Sequence, residues 1–216
     1  KVKTVIIIPA RYKSTRFPGK PLTPILGKPM ILCVAELCAE VLPAEFVYVA
    51  TEDFQIKEIV EKAGFNVVMT SNKCFTGTDR LAEATTQIEA DIYVNVQGDE
   101  PLLNPADILN IIEAKKMYPN EVINGYCKIG DNEEPASANI PKVIFNENQQ
   151  MVYMSRNLLP GTKTKDFVPP HYYKQVCIYA FNKQELIDYA EFGRKGTLEY
   201  YEDIEILRFL DIGVNI

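Results

Sequence analysis

Val2-Lys3-Thr4-Val5-Ile6-Ile7-Ile8 is a short, almost continuous β-branched run that passes straight into Pro9-Ala10-Arg11-Tyr12-Lys13-Ser14-Thr15-Arg16-Phe17-Pro18-Gly19-Lys20-Pro21-Leu22. Apolar residues at consecutive rather than alternate positions read as a strand covered on both faces, the state of a strand inside a parallel sheet. The pattern predicts the central strand over 2–8, a charged loop over 9–28, and a helix from Pro29, a good first-turn residue, to about Val41. The motif then repeats. Phe46 to Ala50 reads as a strand, Asp53 as the N-cap of a helix through Ala63 with Gly64 as its stop, and Asn66 to Met69 as the next strand. A helix over about Thr78–Glu89, an apolar strand over Ile92–Val96 and a helix opened by Asn104 or Pro105 and running to about Met117 complete the alternation. Such alternation predicts an α/β chain: a doubly wound, mostly parallel, Rossmann-like sheet in three layers.

From Glu121 onward the pattern is less regular. Strands are expected over Val122–Ile129, Lys142–Phe145, Gln150–Ser155 and Tyr172–Phe181, around a loop that holds Pro160 and Pro170. The expectation is a single domain over 1–216 in which about 121–182 form a smaller mixed lid or dimerisation part. Helices over Lys183–Phe192 and Leu198–Leu210 and a strand over Val214–Ile216 are expected to follow.

A chain of 216 residues with 47% hydrophobic and 24% charged residues has the composition of one compact domain, not of a fibre or a disordered tail. The net charge of -6 excludes a general affinity for nucleic acid, so any phosphate site must be local. The 5 cysteines are scattered at Cys33, Cys38, Cys74, Cys127 and Cys177, with no C-x-x-C pair and no zinc spacing, which suits a reducing cytoplasm. No apolar run approaches the roughly 20 residues that span a bilayer, and the opening strand lacks the pattern of a signal peptide. The expectation is therefore a cytoplasmic protein with no membrane partner. Only His171 is available as a histidine, so histidine triads and multi-histidine metal sites are excluded.

The chemistry is left to carboxylates, cations and backbone. In parallel sheets ligands bind beyond the carboxyl ends of strands, where the winding reverses, and two charged loops lie at such ends, after Ile8 and after Val96. The first offers four cations, two hydroxyls and Gly19, the groups a triphosphate needs: backbone N–H donors, arginine forks and an ammonium. It is neither a Walker A loop nor G-x-G-x-x-G, which disfavours those kinases and dehydrogenases. A merely solvated basic loop is the bland alternative, outweighed by its position at a strand end.

Ile8-Pro9-Ala10-Arg11 through Ser14-Thr15-Arg16-Phe17-Pro18-Gly19-Lys20-Pro21-Leu22 resembles the signature loop of the 3-deoxy-manno-octulosonate (Kdo) cytidylyltransferases. Thr76-Gly77-Thr78-Asp79-Arg80-Leu81-Ala82-Glu83 resembles the family's nucleotide-base segment, and also reads as a capped helix start. Val94-Asn95-Val96-Gln97-Gly98-Asp99-Glu100-Pro101 resembles its acidic strand end. Met154-Ser155-Arg156-Asn157 with Pro160 resembles its S-R-x-x-I-P segment, and Leu198-Glu199 through Arg208 its late L-E-x-x-E-x-L-E-x-L-R pattern, which equally reads as an amphipathic helix with solvated acids. The blocks run from Val5 to Leu210.

The resemblance implies that CTP is bound by Pro9, Ala10, Arg11, Ser14, Lys20, Gly77, Arg80 and Asp99, with Lys20, Arg11, Arg16 and Asp99 catalytic and Asp99 the Mg²⁺ ligand. It implies sugar contacts from Gln97, Arg156, Gln175, Tyr179, Glu202 and Glu205, with Glu199 weighed beside Glu202 and two of these glutamates directed to the sugar hydroxyls. The reaction implied is attack of the sugar's anomeric hydroxyl on the α-phosphate of CTP, giving a CMP-sugar for lipopolysaccharide or envelope polysaccharide, in a homodimer. Alternatives are an enzyme acting on sialic-acid-like sugars or sugar 1-phosphates, and a non-catalytic nucleotide-binding relative.

Two departures from the family stand out. Gln175-Val176-Cys177-Ile178-Tyr179 replaces H-x-G-I-Y; a glutamine cannot become cationic, which suits contact with a hydroxyl or amine and makes an amino-substituted Kdo a candidate. His171, nearby, would need a local shift to take over the role of the missing histidine, and a lone loop histidine is more often plain surface. The family also continues with a V-D-x-P-E-D-like segment carrying a second metal aspartate, and nothing like it follows Ile216, so the C-terminal segment is expected to be missing. Asp203 and Asp211 lie in the wrong part of the pattern to replace it.

Overall fold

The computed structural model describes residues 1–216, and the chain divides into two compact units, Lys1–Ile123 with Ile178–Arg194, and Asn124–Cys177 with Lys195–Ile216. The smaller part expected over 121–182 thus gives its last residues to the first unit, and the second unit also takes the C-terminal stretch.

In the first unit, β1 (Thr4–Pro9) leads into the long loop, which is less irregular than expected because a small hairpin, β2 (Pro24–Ile25) with β3 (Lys28–Pro29), closes it before α1 (Met30–Ala39). There follow β4 (Val47–Thr51), α2 (Phe54–Lys62), β5 (Asn66–Met69), α3 (Gly77–Ala84), β6 (Ile92–Val96) and α4 (Pro105–Met117). The strands lie in the order β5-β4-β1-β6, all parallel. The expected doubly wound sheet is therefore present. β1 runs to β4 on one side and has β6 on the other, which makes the β1/β6 boundary the point where the winding reverses. Val5, Ile6, Ile7 and Ile8 are completely buried, each worth about 1.5–3 kcal/mol of apolar transfer.

The helix starts follow the sequence: the Asp53 carboxylate accepts from Ile56 N at 2.9 Å, and the Asn104 side chain from Ala106 N at 3.0 Å. The helix expected through Glu89 stops at Ala84 instead. Thr85 and Thr86 turn their hydroxyls back onto the carbonyls of Ala82 (2.6 Å) and Glu83 (2.8 Å), the local competition by which threonine ends helices.

The second unit holds β7 (Ile123–Lys128, from Asn124), β8 (Lys142–Phe145) and β9 (Met151–Ser155), with β8 and β9 antiparallel. β10 (Tyr173–Phe181) gives its first half to this unit, where Lys174 pairs with Lys142, and its last residues to the first unit, where Ile178–Phe181 pair antiparallel with Val96–Tyr93 of β6. α5 (Lys183–Glu191) follows in the first unit, opened by a reciprocal Asn182/Glu185 capping box.

The single helix expected over Leu198–Leu210 is broken into α6 (Thr197–Glu202), a 3-10 turn over Glu205–Leu207, and α7 (Arg208–Asp211). Asp203 stands between them at φ 53, a left-handed conformation that aspartate tolerates better than most residues. No strand forms over 214–216: Val214 N closes on Phe209 O at 2.8 Å, although Ile216 O does accept from Met151 N at 2.8 Å.

Candidate active site

Where β1 ends, Ala10 N still bonds Ala50 O of β4 at 2.9 Å, and the chain then leaves the sheet. The loop returns on itself at Gly19, whose N–H meets Tyr12 O at 2.9 Å and whose φ of 72 favours glycine. A Cβ there would also lie 3.0 Å from the Tyr12 ring. This turn opens a 3-10 segment whose first residue is Lys20. Arg11 and Arg16 project into solvent with no hydrogen-bond or ion-pair partner in the chain, and Ser14 Oγ accepts from Phe17 N at 3.3 Å.

The loop after β6 comes up against this one. Gly98 permits it: a Cβ would meet Pro9 O at 3.2 Å and Ile31 Cδ1 at 3.3 Å. Beyond Gly98, Asp99 Oδ2 accepts from Lys20 Nζ at 3.0 Å, with both side chains about half exposed at 49% and 47%. The Glu100 carboxyl is pushed up by partial burial first and by the Asp99 charge second, against the pull of Lys20. Two segments far apart in the chain thus bring Lys20 and Asp99 together beyond the switch point of the sheet, and the first of them also carries Arg11 and Arg16.

Gly77 is the first residue of α3, behind a Thr76/Asp79 capping box in which Thr76 N donates to Asp79 Oδ2 at 3.0 Å. Arg80 on that helix is 5% exposed, and its Nη1 donates to Thr70 Oγ1 at 2.6 Å and Ser71 O at 3.1 Å, with Glu52 Oε2 at 3.5 Å. Glu52 carries no signal of its own, because Thr51-Glu52-Asp53 reads only as the approach to a helix cap. Its signal lies in topology: it follows the strand beside β1. Gln97 is half-buried at the end of β6, and Tyr179 is 2% exposed on β10, its ring 5.9 Å from that of Phe181.

In the second unit Arg156 and Glu202 meet around the break after α6. Arg156 commits its guanidinium to main-chain carbonyls, Nε to Glu202, Nη1 to Ala138 at 2.9 Å and Nη2 to Asp203 at 2.9 Å, thereby satisfying carbonyls that the end of α6 leaves open. Glu202 Oε1 accepts from Arg156 N at 3.1 Å and Oε2 from Tyr153 OH at 3.0 Å. Burial alone would raise the Glu202 carboxyl, but hydrogen bonds from Ser155, Arg156 N and Tyr153 outweigh it and the net direction is down. Burial and the Glu202 charge push Tyr153 up to about 12. Lys142, fully buried, donates to Ser137 O at 2.6 Å and is pushed down by burial and then by Arg156.

Glu199 is not a solvated acid. It is 2% exposed and paired with fully buried Arg208, at 2.8 Å from Nε and 3.0 Å from Nη2. Glu205 is half-buried in the 3-10 turn, Gln175 Nε2 donates to Asn124 Oδ1 at 3.1 Å, and His171 is exposed. Asp211 caps α6 in place of a glycine: it accepts from Leu198 N at 3.1 Å and Glu199 N at 3.4 Å.

Residues 5–216 match the family described as cytidylyltransferases. The chain belongs to the cytidylyltransferase family. This cytidylyltransferase is 38% identical to the 3-deoxy-manno-octulosonate cytidylyltransferase of Escherichia coli, over 99% of this chain and 86% of that one. It is 39% identical to the 8-amino-3,8-dideoxy-manno-octulosonate cytidylyltransferase of Shewanella piezotolerans, over 100% of this chain and 89% of that one. Among solved structures it is similar to a CMP:2-keto-3-deoxy-manno-octonic acid synthetase complexed with CTP, with a TM-score of 0.90 and 39% identity over 99% of this chain and 88% of that one. A cytidylyltransferase from Leptospira borgpetersenii, at 19% identity and a TM-score of 0.62, shares the fold. The doubly wound α/β sheet expected from the alternating elements is thus that of the family's three-layer nucleotidyltransferase architecture. No helix of the cytidylyltransferase is long and apolar enough to cross a membrane.

Proposed function

We propose that this cytidylyltransferase couples CTP to a 3-deoxy sugar acid, Kdo or its 8-amino analogue, giving a CMP-sugar and pyrophosphate for envelope polysaccharide. The observation that carries the reading is the meeting of the cationic loop after β1 with Asp99 after β6, 3.0 Å from Lys20, at the switch point of a parallel sheet. In support stand relatives named for both sugars at 38% and 39% identity.

Arg11, Arg16 and Lys20 are assigned to the triphosphate. Charge accumulates on pyrophosphate as it leaves, and preorganised cations there act on the transition state more than on bound substrate. Pro9, Ala10, Ser14, Arg80 and the Gly77 backbone are assigned to the rest of the nucleotide. Protein carboxylates form no three-membered metal cluster, which would be the wrong cage for Mg²⁺ in any case. That ion takes one or two carboxylates and fills its sphere with phosphate oxygens and water, so half-exposed Asp99 fits as its ligand. Bound Mg²⁺ would supply charge neutralisation and polarisation of the attacked phosphate. Lys20, now spent on Asp99, turns to phosphate when the nucleotide arrives.

Gln97, Gln175, Glu202 and Glu205 are assigned to the sugar acid. Arg156 and Tyr179, engaged inside the protein, support those contacts by holding the α6 end and β10. Gln175 and its partner Asn124 are both neutral amides, which favours a hydroxyl or amine over a carboxylate at that position and makes the 8-amino sugar the second reading. A homodimer formed through the second unit, and a cytoplasmic location in keeping with five free cysteines, belong to the same proposal. Pyrophosphate release with CTP and Mg²⁺ tests it against Kdo, 8-amino-Kdo and a sialic acid. Turnover with either of the first two is expected; turnover with the sialic acid alone, or CTP binding without turnover on any, overturns it.

A further inference from the structure

We propose that Glu52 is a positioning residue for nucleotide binding: one largely buried carboxylate fixes the course of the loop after β1 and ties it to Arg80 on α3. The inference rests on the assignment of that loop and Arg80 to CTP. β4 lies beside β1, and their ladder continues one step past the strand, through Ala10 N to Ala50 O at 2.9 Å. There the ladder ends, and the next amides of the loop need other acceptors. Glu52 provides them: Oε1 accepts from Tyr12 N at 2.9 Å and Lys13 N at 3.4 Å. It thereby prolongs by side chain the pairing that the backbone has abandoned, and sets the direction in which Arg11, Ser14 and Arg16 are presented.

The other oxygen points elsewhere. Oε2 is buried without a hydrogen-bond partner, and 3.5 Å away stands Arg80 Nη1, in a pair whose side chains are 11% and 6% exposed. A buried carboxylate oxygen with no hydrogen bond is costly, and only the adjoining guanidinium offsets it. Arg80 is in turn aimed by Thr70 Oγ1 and Ser71 O. The chain of contacts therefore runs from the loop amides through one carboxylate to an arginine on a different element. A carboxylate this close to a polyanion site would repel its ligand unless neutralised, so Glu52 acts through Arg80 and the loop and does not touch the nucleotide.

The test separates tether from bulk stability. Glu52→Gln keeps a carbonyl acceptor for Tyr12 N and Lys13 N, whereas Glu52→Ala removes it. Measured on the full chain, CTP affinity is expected to fall roughly 10- to 100-fold in Glu52→Ala, and by clearly less in Glu52→Gln, which keeps the loop acceptor but leaves Arg80 without its anion. Amide exchange at Tyr12 and Lys13 is expected to quicken in the alanine variant alone, with Ile6–Ile8 still protected in both. Unchanged exchange at those amides refutes the tether, whatever the ligand. Quickened exchange with unchanged CTP affinity refutes its part in binding, as does an equal affinity loss in both variants that tracks a lowered unfolding temperature. A wild-type protein that binds no CTP overturns the nucleotide assignment itself, and is told apart because the exchange result still stands.

Discussion

The cations of the loop after β1 and those around the break after α6 do opposite work. In the first, Arg11 and Arg16 extend into water with no partner in the chain, and Lys20 is 47% exposed. In the second, Arg208 is fully buried on Glu199, Arg156 gives its guanidinium to main-chain carbonyls, and Lys142 is buried against Ser137 O. A cation satisfied by its own chain is part of the scaffold, and its loss shows first in stability. One left in water at a strand end, where the nucleotide site is proposed, adds little to the scaffold, and its loss is expected to show first in rate. The two kinds look alike in a motif, because R in S-R-x-x-I-P and R in the signature loop carry the same letter.

The sharpest test of that contrast is Arg208→Met. Removing one member of a buried ion pair leaves the other charged and unpaired, at a cost of about 3–5 kcal/mol. Chemical denaturation should show a loss of that size, and Glu199→Gln added to Arg208→Met should restore part of it; a loss no greater than that of a surface arginine breaks the contrast. Lys20→Ala is the counterpart in the first unit. Its unfolding midpoint should match the wild type, while kcat with CTP and the sugar acid falls about 10²-fold, the scale of deleting one preorganised donor at a developing charge. A large shift in midpoint would put Lys20 with the scaffold cations.

The first unit was largely legible because local signals and topology agree there. The run Val5–Ile8, the Asp53 and Asn104 caps and the two loops at strand ends all follow from periodicity, capping and the switch-point rule. Glu52 was not legible, since its partners Tyr12 and Arg80 lie on other elements and only the β4/β1 pairing brings them together. The second unit was legible as strands but not as a site. Leu198, Tyr201, Ile204 and Leu207 have helical spacing, yet the helix breaks at Asp203 because Arg156, from β9's end, takes the carbonyls of Glu202 and Asp203. Glu199 could not be told from Glu202 by spacing, and the structure buries one on Arg208 and leaves the other beside Tyr153.

A smaller effect probes how α6 is held. Gly196 precedes the helix and has no side chain to cap it; the Asp211 carboxylate does so from α7, and a Cβ on Gly196 would run into that carboxylate. Asp211→Ala should cost about 1 kcal/mol, as for a lost N-cap. Gly196→Ala should destabilise the wild type but add little in the Asp211→Ala background. Additive losses in the double variant would show that the two residues do not share the site.

The smallest expected effect separates Glu202 from an ordinary surface acid. Its folded-state pKa is depressed, since hydrogen bonds from Ser155, Arg156 N and Tyr153 favour the ionised form over the opposing effect of burial. A depressed carboxyl stabilises the fold above its unfolded value of about 4.3, and that contribution is lost as pH falls through the folded value. Wild-type unfolding temperature should therefore drop on acidification more steeply than that of Glu202→Gln, with the two curves separated at pH 7 and converging below the unfolded pKa. Parallel curves from neutral pH down to acid would mean that the Glu202 charge does not hold the α6 break, leaving that task to the Arg156 guanidinium and its carbonyls.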